Sequence, residues 1–147
     1  MKKILFACLI AALFTTTVSV PSHACTGITL KAKDGATVFA RTLEWGSFDL
    51  HSRVSIVPRG YEFKSHLDGG KTGMTWKARY GAVGIDAVKK DDIVDGMNEK
   101  GLVVNAFYHP GVANYPEIDP KNFSNSLGPL HLTQYILTTS ENRRVSS

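Results

Sequence analysis

Residues 26–43 read TGITLKAKDGATVFARTL, and this stretch predicts a β-hairpin. Apolar and polar side chains alternate over Thr26–Ala32, a second strand-like run covers Thr37–Leu43, and Lys33–Gly35 between them has the composition of a tight turn. Folding back about this turn brings Arg41 and Glu44 close to Cys25. The hairpin therefore carries one cation and one carboxylate at its open end, next to a cysteine.

The register of this hairpin stays open at the level of sequence. A two-residue turn pairs Cys25 with Glu44. A three-residue loop with a glycine bulge pairs Cys25 with Leu43 and sets Arg41 diagonally on the same face. A shift of one residue thus decides which charged side chain shares the face of Cys25.

The segment before Cys25 is typical of a secretory signal peptide. It begins with Lys2 and Lys3, continues as an apolar run closed by a proline, and has small residues at Ser22 and Ala24. The apolar run is too short for a membrane-spanning helix. We expect residues 1–24 to be removed after export to the periplasm or the medium, leaving Cys25 as the first residue and no stable membrane anchor.

Two other interpretations of Cys25 remain. A bacterial lipoprotein would be acylated on this cysteine, although Ser22 stands where that motif has a large aliphatic residue. A free cysteine can also be a small buried apolar side chain. The other cysteine, Cys8, lies in the predicted signal, so the exported chain would have a single thiol without an internal disulfide partner.

Composition limits the class of protein. Removal of residues 1–24 leaves 123 residues, enough for one small domain with a core. The segment takes away two of 17 basic residues and none of the 13 acidic ones, which leaves a net charge of +2. Because this charge is weak and evenly spread, no nucleic acid or anionic membrane partner is expected.

The rest of the chain predicts strands followed by one helix. Strands are expected at Val54–Val57 and in a second hairpin of Asp92–Met97 and Leu102–Tyr108 joined by Asn98–Gly101. Trp76–Ile85 is expected to be either a strand pair or one strand bent near Gly81. Leu102–Val104 is continuously apolar, which is typical of a central strand covered on both faces.

Loops and a helix complete the prediction. His66–Thr75 and His109–Asn125 are interpreted as loops, the second of them long enough to be functional. A helix is expected to begin near Gly128–Pro129 and to run through Leu130–Thr139. Residues 140–147 (SENRRVSS) lack apolar periodicity. The domain is therefore expected to cover residues 25–139 and to be followed by an unrelated tail from a truncation or a frameshift.

An N-terminal cysteine can act as a nucleophile with its own base. A free α-amine has a pKa of roughly 7.7–8.0, so near neutrality an appreciable fraction can accept the thiol proton. Arg41 would favour the thiolate, and Glu44 could orient the α-ammonium. Amide hydrolysis through a thioester suits this pair of groups, with a backbone N–H as an oxyanion donor.

Four motifs in order resemble the choloylglycine hydrolase / penicillin V acylase family. They are Cys25–Gly27, Phe39–Trp45, Val57–Tyr61 and Asp95–Leu102. The resemblance implies an α+β, N-terminal-nucleophile hydrolase fold, an αββα sandwich, of which this chain holds an incomplete N-terminal part. It also implies hydrolysis of linear amides such as penicillin V, conjugated bile salts or N-acyl homoserine lactones.

The resemblance also implies roles for individual residues. Cys25 would be the nucleophile and Arg41 the active-site arginine, while Glu44 stands where the family usually has aspartate. Tyr108 stands where the family uses a backbone N–H in the oxyanion hole. The family's asparagine in that hole and a second arginine have no counterpart before residue 147, so this chain alone is expected to be inactive.

No cofactor is expected. His, Cys, Asp and Glu show no metal-ligand spacing, no glycine loop has phosphate-binding form, and neither His109 nor His131 has a pattern supporting a Cys–His dyad. The expected partner is a small-molecule amide substrate, and the full-length form is expected to be a homo-oligomer. The alternative function is an exported, non-catalytic lipoprotein or binding module anchored through Cys25.

Overall fold

The computed structural model describes residues 25–46, 48–88, 92–108 and 113–141. The predicted signal at 1–24, His109 and the tail after 141 lie outside these ranges. The elements are β1 Gly27–Lys31, β2 Thr37–Arg41, β3 Val54–Val57, β4 Glu62–Leu67, β5 Lys71–Lys77, β6 Ala82–Ala87, β7 Asp92–Asn98, β8 Val103–Asn105 and α1 Pro129–Thr139, with 3₁₀ turns at Asp68–Gly70 and Phe123–Asn125.

The strands form three antiparallel sheets. β1 pairs with β2, β4 pairs with β5, and a four-stranded sheet has the order β3-β6-β7-β8. Together with α1 they make a mixed α/β structure, which confirms the predicted combination of strands and a late helix. Within the described residues, no helix has the length and apolar character needed to cross a membrane.

The β1–β2 hairpin follows from its turn residues. Ala32 N–H donates to Ala36 O, and the loop between them places Gly35 at a φ of 86°, a region that favours glycine. Asp34 Oδ1 accepts the N–H of Ala36 and stabilises this three-residue loop. The loop sets the register at Gly27 opposite Arg41 and Lys31 opposite Thr37.

The helix covers one face of the four-stranded sheet. Pro129 occupies the first turn, where a missing N–H costs nothing, and α1 packs on β7 and β8. Leu137 is fully buried there, in a core with Val57, Phe63, Ala78, Ala82 and Ile93. Asn98 at the end of β7 donates through Nδ2 to Leu137 O and Ser140 O, so side-chain hydrogen bonds also hold the helix C-terminus.

The opposite face of this sheet is apolar and exposed. The paired positions Val54–Ile85, Ile56–Val83, Val83–Met97 and Met97–Val103 run across all four strands. Their exposed fractions lie between 36% for Ile85 and 79% for Ile56. We call these six residues the open face: Val54, Ile56, Val83, Ile85, Met97 and Val103.

Two sequence predictions were wrong. His66–Thr75 is not a loop, because β4 and β5 form a hairpin through Asp68–Gly70, with Phe63 and Trp76 stacked at 5.0 Å. Every second residue of β4 is buried, namely Phe63, Ser65 and Leu67. Because Ser65 is polar, the sequence does not show the alternation of apolar and polar residues that is typical of a strand. The prediction that Leu102–Val104 forms a central strand is also wrong. β8 lies at the edge of the four-stranded sheet, and Val103 is exposed.

The bent segment Trp76–Ile85 resolves into two strands of different sheets. β5 ends at Lys77, residues 78–81 cross over, and β6 begins at Ala82. The crossover is held by Arg79 and Tyr80, whose N–H groups both donate to Thr138 O. The bend predicted near Gly81 is thus the connection between the β4–β5 sheet and the four-stranded sheet, and hydrogen bonds attach this connection to the C-terminus of α1.

Candidate active site

The hairpin register assigns Arg41 to the face of Cys25. Gly27 lies opposite Arg41, and the ladder continues as Thr42 N–H donates to Thr26 O at 2.9 Å. Extending this register by one residue sets Cys25 beside Leu43, which is the three-residue-loop alternative of the two that the sequence left open. Because side chains alternate along a strand, Cys25, Gly27 and Arg41 share one face. Cys25 itself is a half-buried free thiol.

Arg41 reaches from the hairpin to the four-stranded sheet. Its side chain is only 7% exposed, and Nη1 donates to Asp95 Oδ2 at 3.1 Å. Nη2 donates to Ala106 O, just after β8. The guanidinium also lies 4.8 Å from the ring centroid of Phe107, a cation–π distance. These contacts hold the cation in one place instead of leaving it a solvated surface charge.

Asp95 is the site residue that sequence reasoning missed. It lies on β7 opposite Ile85 and Asn105, on the side of the sheet that bears the open face. Burial raises the pKa of its carboxyl group, and the attraction of Arg41 opposes that rise. The available signal was a pair of carboxylates, Asp92 and Asp95, in the otherwise apolar predicted strand Asp92–Met97.

Glu44 is not brought to the cation. It lies beyond the last paired residue of β2, is exposed, and forms no hydrogen bond or ion pair with another described residue. The carboxylate that meets Arg41 is Asp95, which comes from a distant strand.

Tyr108 joins an aromatic group at the edge of the site. Its ring meets that of Trp45 edge to face at 5.3 Å, and Trp45 meets Phe48 at 5.5 Å. Tyr108 is 60% exposed, so its hydroxyl and ring remain accessible. The segment after β8 thus supplies Ala106 and Phe107 to Arg41, and Tyr108 to Trp45.

Buried polar atoms without partners concentrate here. In the described part of the chain, Arg41 Nε, Trp45 Nε1 and Asp95 Oδ1 are buried and have no hydrogen-bond partner. Such atoms cost free energy, and in native structures they often mark sites of chemistry or binding. Two donors and one acceptor remain available beside the hairpin end that carries Cys25.

A second polar group has the residue types of a catalytic triad but not its geometry. Ser65 Oγ and His131 Nδ1 lie 3.4 Å apart, and His131 Nε2 lies 3.3 Å from Asp92 Oδ1. Ser65 is completely buried and accepts the N–H of Gly128 at 2.8 Å. It therefore anchors the start of α1 to β4, and His131 is a hydrogen-bonded core histidine.

The described residues hold no metal-ligand cluster, and a cavity among them lies away from Cys25. Across residues 25–46, 48–88, 92–108 and 113–141, no three His, Cys, Asp or Glu side chains are arranged to hold a metal ion. A cavity of about 670 Å³ lies between the β4–β5 turn and the segment leading into α1, lined by His66, Asp68, Tyr115, Ile118 and Leu132 among others. None of its lining residues belongs to the Cys25 end of the hairpin.

Comparison with known proteins gives a family match. Residues 25–144 match the family model of linear amide C–N hydrolases, choloylglycine hydrolase family. A bile salt hydrolase/transferase of Bifidobacterium longum is 33% identical over 94 residues, 62% of this chain and 28% of that protein. A bile salt hydrolase/transferase of Clostridium perfringens is 30% identical over 103 residues, 69% of this chain and 30% of that protein.

A viral protein matches this chain over a longer stretch. The uncharacterized protein A284L of Paramecium bursaria Chlorella virus 1 is 27% identical over 118 residues, 80% of this chain and 33% of the viral protein. The matched part of the chain thus spans about a third or less of the length of these relatives. No solved structure gives a significant match.

Proposed function

Because the chain belongs to the choloylglycine hydrolase family of linear amide C–N hydrolases, we propose that it hydrolyses a linear amide with Cys25 as an N-terminal nucleophile. The observation that carries this proposal is the hairpin register, in which buried Arg41 shares the face of Cys25. A fixed cation beside a thiol favours the thiolate, which is the reactive form.

The reaction proceeds in two stages. The α-amine of Cys25 takes the thiol proton, and Sγ attacks the carbonyl carbon to form a tetrahedral oxyanion. The C–N bond then breaks, the proton passes from the ammonium to the leaving amine, and a thioester remains. Water, deprotonated by the same amine, attacks the thioester, releases the acid and restores the thiol.

Three further residues have supporting roles in this proposal. Arg41 stabilises the thiolate. The backbone N–H of Tyr108 would donate to the oxyanion, and Glu44 would act on the α-ammonium once Cys25 is the first residue. The exposed position of Glu44 leaves it able to move toward a new N-terminus.

The proposal extends to maturation and architecture. Residues 1–24 would be removed as an export signal, and the sheets described above would form part of an αββα sandwich. The open face supports such a sandwich, because an apolar sheet face is normally covered by a second layer.

The substrate class is a small linear amide. The bacterial relatives are named bile salt hydrolase/transferase, and conjugated bile salts, penicillin V and N-acyl homoserine lactones all contain the required bond. We also infer that the full-length form is a homo-oligomer and that residues 1–147 alone turn over little substrate. The exposed open face supports this last inference, because an apolar sheet face without a covering layer is typical of an incomplete domain.

A stoichiometric acylation experiment tests the nucleophile. A chain beginning at Cys25 is mixed with the p-nitrophenyl ester of phenoxyacetic acid, an activated donor that demands little of the oxyanion hole. We expect acylation on the Cys25 peptide, by mass spectrometry, at least about tenfold faster than for a matched chain with one extra glycine before Cys25, because only in the first chain does the α-amine belong to the same residue as the thiol.

Two outcomes contradict the proposal. Equal acylation rates for the two chains would remove the α-amine as the base. N-terminal sequencing of exported protein that starts anywhere but Cys-Thr-Gly-Ile-Thr-Leu, or a diacylglyceryl adduct in its intact mass, would remove the free N-terminal cysteine.

A further inference from the structure

We propose that Asp95 is the positioning residue of Arg41: its carboxylate holds the guanidinium on the face of the β1–β2 hairpin that carries Cys25, and thereby sets how readily the Cys25 thiolate reacts. This inference rests on the proposed function, in which that thiolate is the nucleophile. The carboxylate that pairs with Arg41 then comes from β7 and not from the hairpin.

The first argument is the separation of the sheets. β1 and β2 pair with each other and have no ladder to the four-stranded sheet. The Arg41–Asp95 hydrogen bond at 3.1 Å joins the two, across 54 residues of sequence. A long side chain such as arginine has many rotamers, so a partner on a separate, rigid strand restricts it strongly.

The second argument is burial. Arg41 is 7% exposed and Asp95 16% exposed by side chain. A guanidinium taken this far from water requires a nearby anion, because an unpaired buried charge is costly. Arg41 is the one charged group that acts on the Asp95 carboxyl among the described residues. The other contacts of Arg41, with Ala106 O and the Phe107 ring, are to neutral groups.

The third argument is that the Arg41–Asp95 ion pair has only one of its two possible hydrogen bonds. Only Nη1 meets the carboxylate, so Arg41 Nε and Asp95 Oδ1 stay without partners although both are buried. A pair that served stability alone would be expected to adopt the bidentate arrangement, as Arg59 and Glu99 do with 2.6 and 2.7 Å hydrogen bonds. The single contact places the cation while leaving hydrogen-bonding capacity at the site.

The test measures the reactivity of Cys25 without requiring substrate turnover. The full chain is treated with iodoacetamide over a range of pH, and peptide-resolved mass spectrometry follows Cys25 separately from Cys8. A nearby cation stabilises a thiolate, so Arg41→Gln is expected to slow the alkylation of Cys25 at neutral pH about tenfold. Asp95→Ala should slow it at least about threefold, because the released guanidinium moves into solvent.

Conservative and matched variants separate positioning from stability. Asp95→Asn keeps an acceptor for Nη1 and is expected to stay within about twofold of wild type. Glu62→Gln should also stay within about twofold, since the exposed Glu62 carboxylate pairs with Lys77 and has no role at the site. Asp86→Asn removes a buried carboxylate paired with Arg53, and should lower stability without changing Cys25 reactivity. If Asp95→Ala does not fold, Asp95→Ser, whose hydroxyl is too short to reach Arg41, replaces it.

The outcomes are distinguishable. Slow alkylation in Arg41→Gln with a wild-type rate in Asp95→Ala overturns the positioning role and leaves the proposed function standing. Wild-type alkylation in Arg41→Gln overturns both, because Arg41 then does not act on the thiol. Equally slow alkylation in Asp95→Asn and Asp95→Ala also overturns the positioning role, since a correctly placed acceptor would not suffice.

Discussion

Gly27 lies opposite Arg41 in the β1–β2 hairpin and beneath the Phe107 ring, against which the Arg41 guanidinium packs. A Cβ at this position would lie 2.8 Å from Phe107 Cζ and 3.2 Å from Phe39 Cζ, closer than normal contacts allow. The absence of a side chain therefore permits Phe107 to close over the hairpin beside Cys25. This makes Gly27 a residue whose size matters for the candidate site although it carries no chemistry.

We predict that Gly27→Ala lowers the free energy of unfolding by about 1–3 kcal/mol, because Phe107 must move to admit the methyl group. Thermal unfolding followed by circular dichroism measures the effect. Gly46→Ala is the matched control, since nothing lies within 4 Å of its Cβ position. An unchanged melting temperature in Gly27→Ala would show that the ring yields without cost.

Asp86 is a fully buried carboxylate with several donors. It accepts hydrogen bonds from Arg53 N at 2.8 Å, from Arg53 Nε at 2.9 Å and from Ser55 Oγ at 3.2 Å. Burial alone would raise the pKa of Asp86, but the Arg53 and Ser55 hydrogen bonds outweigh it and hold the pKa below its usual value.

The pH dependence of stability follows from the lowered pKa of Asp86. A carboxyl group whose pKa is lower in the folded state contributes stability that is complete above the unfolded value, about 3.9, and lost as the pH falls through the folded value. We predict that Asp86→Asn costs about 2–4 kcal/mol at neutral pH and flattens the loss of melting temperature below pH of about 4. Parallel acid melting curves for the two proteins would contradict the assignment.

At the scale of elements, the β7–β8 turn and the C-terminus of α1 depend on one side chain. Asn98 Nδ2 donates to Leu137 O and Ser140 O, each at 2.8 Å. Asn98 Oδ1 accepts the N–H groups of Lys100 and Leu102. Both ends of the amide are therefore used, and a motif interpreted from sequence as a turn also closes the helix.

We predict that Asn98→Asp destabilises the protein about as much as Asn98→Ala, by about 2–4 kcal/mol, because both lose the two donors to the helix carbonyls. Chemical denaturation gives the free energies. Asn114→Ala, an exposed position in the segment before α1, should change little. If Asn98→Asp retained wild-type stability, the hydrogen bonds from Asn98 Nδ2 to the helix carbonyls would not contribute to the free energy of unfolding.

At the scale of the whole molecule, the open face governs solubility. Six apolar residues across four strands form a contiguous exposed surface, next to the unpaired edge of β3, where Ile56 is 79% exposed. Exposed apolar sheet faces and strand edges both promote association with other chains.

We predict that the chain of residues 25–147 self-associates at micromolar concentration and that Ile56→Thr with Val83→Thr reduces this association without lowering the melting temperature. Sedimentation velocity measures the species present. Ile118→Thr, an exposed apolar residue outside the sheet, should have no effect. A monomeric wild-type chain under these conditions would contradict the prediction.

The sequence by itself determined the local elements and the family. Turn residues such as Asp34 and Gly35 predict the first hairpin, and Pro129 predicts the start of α1, because turn and helix-start preferences act over a few residues. The four ordered motifs predicted the choloylglycine hydrolase family, which the family match confirms. The roles of Cys25, Arg41, Glu44 and Tyr108 stay predictions.

Only the tertiary structure decided the hairpin register, the edge position of β8 and the pairing of Arg41 with Asp95. Each depends on contacts between segments far apart in sequence, which local preferences do not encode. A run such as Leu102–Val104 is equally compatible with a central strand or an edge, since only the neighbouring strands distinguish them. Likewise, the packing of the β1–β2 hairpin against the four-stranded sheet determines which carboxylate pairs with Arg41. Glu44 is close to Arg41 in sequence, but Asp95 is the carboxylate that is close to it in space.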